Sequence, residues 1–119
     1  VITQEIGQDA EQKALDYLIN QGFKLVCRNY QCRLGEIDLI MRDKNYLVFI
    51  EVRSRTSSFF GGGIASITYA KRQKIIKTTS HYLIKNQIQD KYPIRFDVVS
   101  IDGRSGIVTW LKDAFGADY

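Results

Sequence analysis

Gly35-Glu36-Ile37-Asp38-Leu39-Ile40-Met41-Arg42-Asp43, followed after Lys44-Asn45 by Tyr46-Leu47-Val48-Phe49-Ile50-Glu51-Val52-Arg53-Ser54, reads as the two strands of a hairpin. A two-residue turn at Lys44-Asn45 sets Asp43 against Tyr46, and a four-residue turn keeps the same register. That register pairs Ile37 with Val52, Leu39 with Ile50 and Met41 with Val48, placing six apolar residues on one face. A three-residue turn would oppose core residues to charged ones, so the buried face selects the first register. On the other face Glu36 meets Arg53 as a cross-strand ion pair, Ile40 meets Phe49, and Asp38 meets Glu51.

The last pairing needs a physical reason. Two carboxylates on directly opposed positions, roughly 5 Å apart at an effective dielectric near 20, repel by about 3 kcal/mol. A domain of this size is stable by only about 5–15 kcal/mol, so the repulsion must be offset. A cation, a neighbouring arginine or a proton held by a raised pKa would do it. A divalent ion with oxygen ligands fits best, because hard cations prefer carboxylates and carbonyls. Bridging of the pair by Arg53 or Arg55 is the alternative.

Working outward, Thr3 to Gln21 is expected to be a helix. Thr3 would cap it, Glu5 suits its first turn, and Ile6, Ala10, Ala14, Tyr17 and Leu18 form its apolar stripe, with Gly22 as the stop. Phe23 to Arg28 reads as a strand with a turn near Asn29-Tyr30, and the hairpin strands follow as Leu34 to Arg42 and Tyr46 to Ser54. Thr56 to Ser66, with Phe59-Phe60 and Gly61-Gly62-Gly63, reads as a mobile loop. A second helix is expected from about Thr68 to Asn86, burying Ile75, Ile76, Thr79 and Leu83. Ile94 to Ile101 and Ile107 to Leu111 complete an αβββαββ order in a single α/β domain spanning residues 1–119.

The chain has 119 residues, 45% hydrophobic and 25% charged, the composition of a folded soluble protein. It lacks an apolar run long enough for a membrane span and a recognisable signal peptide, so a cytoplasmic location and no membrane partner are expected. Met41 is the only methionine, and Val1 is not expected to be the translated start. The net charge of +4 conceals an asymmetry: Val52 to Gln89 holds no Asp or Glu, while Arg53, Arg55, Lys71, Arg72, Lys74, Lys77 and Lys85 give +7, leaving −3 for the rest. A basic segment on a slightly acidic domain attracts a polyanion, although a solvated Lys-rich helix face would look the same in sequence.

Gly35-Glu36-Ile37-Asp38 followed by Glu51-Val52-Arg53 resembles the PD-(D/E)xK nuclease constellation, in which an Asp precedes an acidic-x-Lys triplet across a hairpin. More narrowly, the chain resembles the YraN family of bacterial proteins, which are similar to archaeal Holliday junction resolvases. The matching residues are Gly7, Ala10-Glu11, Ala14, Asn29, the segments 35–40 and 49–55, Phe60-Gly61, Thr68, Lys71 and Arg95 to Val99. The resemblance implies a restriction-endonuclease-like core, a mixed β-sheet flanked by helices. It also implies a metal-dependent endonuclease that hydrolyses phosphodiester bonds of branched or structured DNA, as in repair and recombination, and that works as a homodimer.

Carried over residue by residue, the resemblance makes Asp38, Glu51 and the backbone carbonyl of Val52 ligands of Mg²⁺ or Mn²⁺, with Glu11 bound directly or through water. Read from its own position, Glu11 is otherwise a solvated helix residue pairing with Lys13 or Lys71. Arg53 stands where the pattern most often carries Lys; Arg stays charged and cannot act as a general base, but it can clamp a phosphate and stabilise developing negative charge. Asp38, Glu51 and Arg53 are thus the expected catalytic set, with Arg55, Lys71 and Lys74 on the nucleic-acid backbone, DNA or RNA. The alternative expectation is a nucleic-acid-binding module that keeps the nuclease fold without turnover, and a scaffold docking an acidic protein is a third. Phe59 or Phe60 would pack in the core or stack on a base. Asp97 beside Arg95 is read as a structural ion partner, His81 as a helix-surface residue, Trp110 as packing, and Cys27 and Cys32 as reduced thiols facing each other across the Asn29-Tyr30 turn.

Overall fold

The computed structural model describes residues 2–55 and 67–116, with side chains from residue 9 onward. Thr3, Glu5, Ile6 and Gly7 as side chains, and the loop carrying Phe59 and Phe60, lie outside what is described. Helix α1 (Ile2–Asn20) is followed by β1 (Lys24–Cys32), β2 (Gly35–Asp43), β3 (Tyr46–Arg55), helix α2 (Tyr69–Lys85), β4 (Ile94–Asp102) and β5 (Val108–Phe115), the expected αβββαββ order. The five strands form one mixed sheet in the order β1-β2-β3-β4-β5. Only β3 and β4 run parallel, and α2 is the crossover between them.

Helix α1 ends as Gly22 suggests. Gly22 takes φ +96°, its N–H donates to the Ile19 carbonyl at 2.9 Å, and the Phe23 N–H donates to Leu18 at 3.0 Å, a Schellman closure. The buried side of α1, with Ala10, Ala14, Leu15 and Leu18, packs on Leu39, Met41, Val48, Ile50, Val99 and Ile101. Ile75 and Tyr82 of α2 join Ile40, Phe49, Phe96 and Val98 in a second cluster. Because helices cover both faces, Leu47 to Glu51 are buried without alternation, as expected of a central strand.

The hairpin register is the expected one: Asp43 pairs with Tyr46, Met41 with Val48, Ile40 with Phe49 and Leu39 with Ile50. Ile37 departs from the sequence reading, because it joins the α2-side cluster with Ile40 instead of sharing Leu39's face. Strand β1 also differs. It runs on to Cys32, and the turn falls at Arg33-Leu34, so Cys27 and Cys32 lie on one strand as free thiols and do not face each other. Asn29 does adopt the left-handed backbone of a turn residue, φ +53°, but within a strand that continues past it. A second irregularity shifts the β1–β2 register between Leu25 and Cys27.

Asp97 is structural, as its place beside Arg95 suggests. It is 0% exposed and accepts hydrogen bonds from Arg95 Nε and Nη2 (2.9 Å each), Trp110 Nε1 (2.9 Å) and the Asp113 N–H (3.0 Å). Arg95 Nη1 continues to Asp43 Oδ2 at 2.9 Å, tying β4 and β5 to the turn end of the hairpin. Trp110 packs edge-on against Tyr17 and Phe23. His81 is half-buried, with Nδ1 hydrogen-bonded to the Tyr30 hydroxyl at 2.6 Å.

Candidate active site

The site is built where β2 and β3 leave their turn and separate. Asp38 follows Ile37 at the point where β2 changes which face its apolar residues serve, and its carboxylate Oδ2 accepts a hydrogen bond from the Val52 N–H at 2.8 Å. The side chain thereby occupies a ladder position beyond the last backbone pairing, Leu39 with Ile50. Glu51, 8% exposed, lies close enough to hydrogen-bond the Asp38 carboxyl. The expected meeting of two carboxyls is therefore observed.

Their electrostatics follow. Burial, then the charge of Glu51, push the Asp38 pKa up to about 8, outweighing the Val52 N–H, which favours ionisation. A hydrogen bond shared with Glu51 and the more distant charge of Glu11 add to the rise. Near neutral pH the repulsion is thus relieved by a proton on Asp38. Lys71, from the first turn of α2, places Nζ 3.4 Å from Glu51 Oε2. Its helix is positioned by the Thr68 cap, whose hydroxyl accepts from the Lys71 N–H at 3.1 Å.

Glu11 on α1 is 9% exposed, near enough for its charge to act on Asp38. Neither Lys13 nor Lys71 is its observed partner: Lys13 pairs with Asp9, and Glu11 pairs with Arg28. Its Oε1 accepts from Arg28 Nε (3.2 Å), Arg28 Nη2 (3.1 Å) and Asn29 Nδ2 (3.1 Å). The sequence assigns Arg28 no role at the site, and Asn29 reads there as a turn and family-matching residue, not as a partner of Glu11. The available signal was the left-handed preference of asparagine, which reads as a chain-ending turn but here sits inside β1 at φ +53°.

Arg53 and Arg55 are half-buried on β3, two and four residues beyond Glu51. Lys74 is exposed, on the turn of α2 that passes the start of β2, where an added Cβ at Gly35 would lie 3.9 Å from the Lys74 Cβ. Among the described residues no three His, Cys, Asp or Glu side chains converge at metal-holding spacing. The donor set in hand is the Asp38–Glu51 pair. Two closely held carboxyls suit a hard divalent ion, which keeps several waters and requires few protein oxygens.

The family model described as uncharacterised protein family UPF0102 matches residues 10–101 of the chain. The chain belongs to UPF0102. This is the YraN family that the chain as a whole resembles. A UPF0102 protein of Legionella pneumophila strain Corby is 69% identical over 116 residues, 98% of both chains. Another, from Psychromonas ingrahamii, is 52% identical over 109 residues, covering 92% of this chain and 88% of its own. A third, from Coxiella burnetii strain RSA 331, is 45% identical over 118 residues, 99% and 98% of the two chains. The UPF0102 match takes in Glu11, Asp38, Glu51 and the basic residues from Arg53 to Lys74. No helix among the described residues is long and apolar enough to cross a membrane.

Proposed function

We propose that this UPF0102 protein is a metal-dependent endonuclease that hydrolyses phosphodiester bonds in structured DNA. The observation that carries the reading is the buried Asp38–Glu51 pair with the Lys71 ammonium 3.4 Å from Glu51. Asp38 and Glu51, with the Val52 carbonyl, are the residues that would hold Mg²⁺ or Mn²⁺, and Glu11 would reach it through water. Such an ion, when bound, polarises a phosphoryl oxygen and lowers the pKa of its water. Asp38 would hold the ion as a carboxylate, which the Val52 N–H orients. Lys71 partly neutralises Glu51 and presents a cation to the phosphate backbone. An arginine does not serve as a general base, so the part of Arg53 is to bind the scissile phosphate and stabilise its developing charge. Arg55 and Lys74 extend the basic track on either side.

Arg53 in place of Lys also supports a second reading, a module that binds nucleic acid without cutting it. Labelled junction, flap and duplex DNA incubated with Mg²⁺ or Mn²⁺ separate the two. Cleavage by wild type that Asp38→Ala abolishes is expected; equal products from both would end the enzyme reading. Salt-dependent binding without cleavage, weakened by Lys71→Ala with a salt slope smaller by about 1, would favour the binding module.

A further inference from the structure

Asn29 combines two features that a strand residue seldom has. Its backbone is left-handed, φ +53°, within β1. Its neighbours Arg28 and Tyr30 pair with Leu39 and Ile37, so Asn29 falls opposite Asp38. A residue required only to turn the backbone here would be best served by glycine, which adopts positive φ without steric cost. Asparagine tolerates the same conformation less well but brings an amide. That amide donates to Glu11 Oε1 at 3.1 Å.

Arg28 directs Nε and Nη2 to the same Glu11 oxygen, while its Nη1 donates to Gln12 Oε1 at 2.9 Å. Three donors on Oε1 fix both the rotation and the reach of a carboxylate that α1 alone would leave free to swing. The left-handed turn at Asn29 brings that clamp to the level of Asp38. One local backbone choice thus couples the β2 carboxylate position to the α1 carboxylate.

We propose that Asn29, assisted by Arg28, is a positioning residue that aims Glu11 at the ion site of Asp38 and Glu51, an inference that rests on the metal-dependent reading above. Partners that orient metal-ligating groups typically change metal affinity by about 10–100-fold when removed. The probe is Mn²⁺ alone, titrated against purified protein and followed by thermal midpoint and by calorimetry. Asn29→Gly preserves the backbone preference and deletes the amide. It is expected to fold with a metal-free midpoint near that of wild type and to bind Mn²⁺ about tenfold more weakly. Glu11→Gln should show a comparable loss, and adding Asn29→Gly to it should produce no further loss, because the two act through one group.

A purely structural role for Asn29 predicts the reverse: Asn29→Gly binds Mn²⁺ as wild type does. That result, or full additivity with Glu11→Gln, overturns the positioning role while leaving the ion site standing. Absence of any Mn²⁺ response in wild type overturns the ion site itself, and the positioning role with it.

Discussion

Asp38 keeps its proton up to about pH 8 in the folded chain because burial and the charge of Glu51 both work against ionisation. In the unfolded chain the same group ionises near its ordinary value of about 3.9. The folded value lies above the unfolded one, so this proton's contribution to stability is full at acid pH, declines as pH rises and is gone above about 8. Over that window the metal-free protein should lose up to about 1.4 kcal/mol per pH unit from this group. Asp38→Asn, a mimic of the protonated form, should flatten the decline, as urea unfolding between pH 5 and 9 would read; parallel profiles would contradict the assignment. The approach of Asp38 to Glu51 was legible in the sequence because the apolar pairs Leu39–Ile50 and Met41–Val48 fix the hairpin register. The clamp on Glu11 was not. Its donors, Arg28 and Asn29, lie where an asparagine with turn preference looked like the end of a strand. The local preference was read correctly, but cross-strand pairing on both sides carries the strand through it.

At the scale of elements, α2 decides which basic side chains reach the carboxyls. The helix ends near Thr68 and Asn86 were readable from capping chemistry, and Ile75 and Thr79 are buried as expected. Ile76 and Leu83 are only half-buried, while Thr78 and Tyr82 are buried as well. Thr78 escaped apolar periodicity because it is small and polar and its hydroxyl donates to the Lys74 carbonyl at 2.8 Å. It lies against Gly35, where an added Cβ would come within 2.9 Å of Thr78 Oγ1 and φ is +150°. Gly35 is therefore a point of close approach between α2 and the start of β2. Gly35→Ala should cost about 1–3 kcal/mol by overpacking, and more if the backbone cannot relax. If the protein binds DNA as proposed, the substitution should also weaken that binding by displacing Lys71 from Glu51. Thermal melts and a gel-shift titration check the two effects together.

For the whole molecule, the sheet has a structural end and a chemical end. Arg95 pairs with Val48 near the turn, whereas Glu51 lies further along β3 opposite Val98. Asp97 binds Arg95 and the β5 backbone, so Asp97→Ala would leave a buried guanidinium, 6% exposed, with Asp43 as its remaining carboxylate. Removing one partner of such a buried pair costs about 3–5 kcal/mol, which denaturant unfolding should register as a lower midpoint. The mixed sheet and its helical cover were legible from element order, but this network was visible only as one neighbouring ion pair, since Trp110 and Asp113 reach it through tertiary packing.

The irregular outline of β1 has its own consequence. β1 is an outer strand, with Leu25 and Val26 exposed, and its ladder shifts between Leu25 and Cys27 before turning left-handed at Asn29. A straight border with such greasy side chains invites a foreign strand to dock and fibres to grow. Two kinks within nine residues deny the incomer a matching row of amides. The geometry that serves the carboxylates thereby guards the molecule's margin against sticking to its own kind.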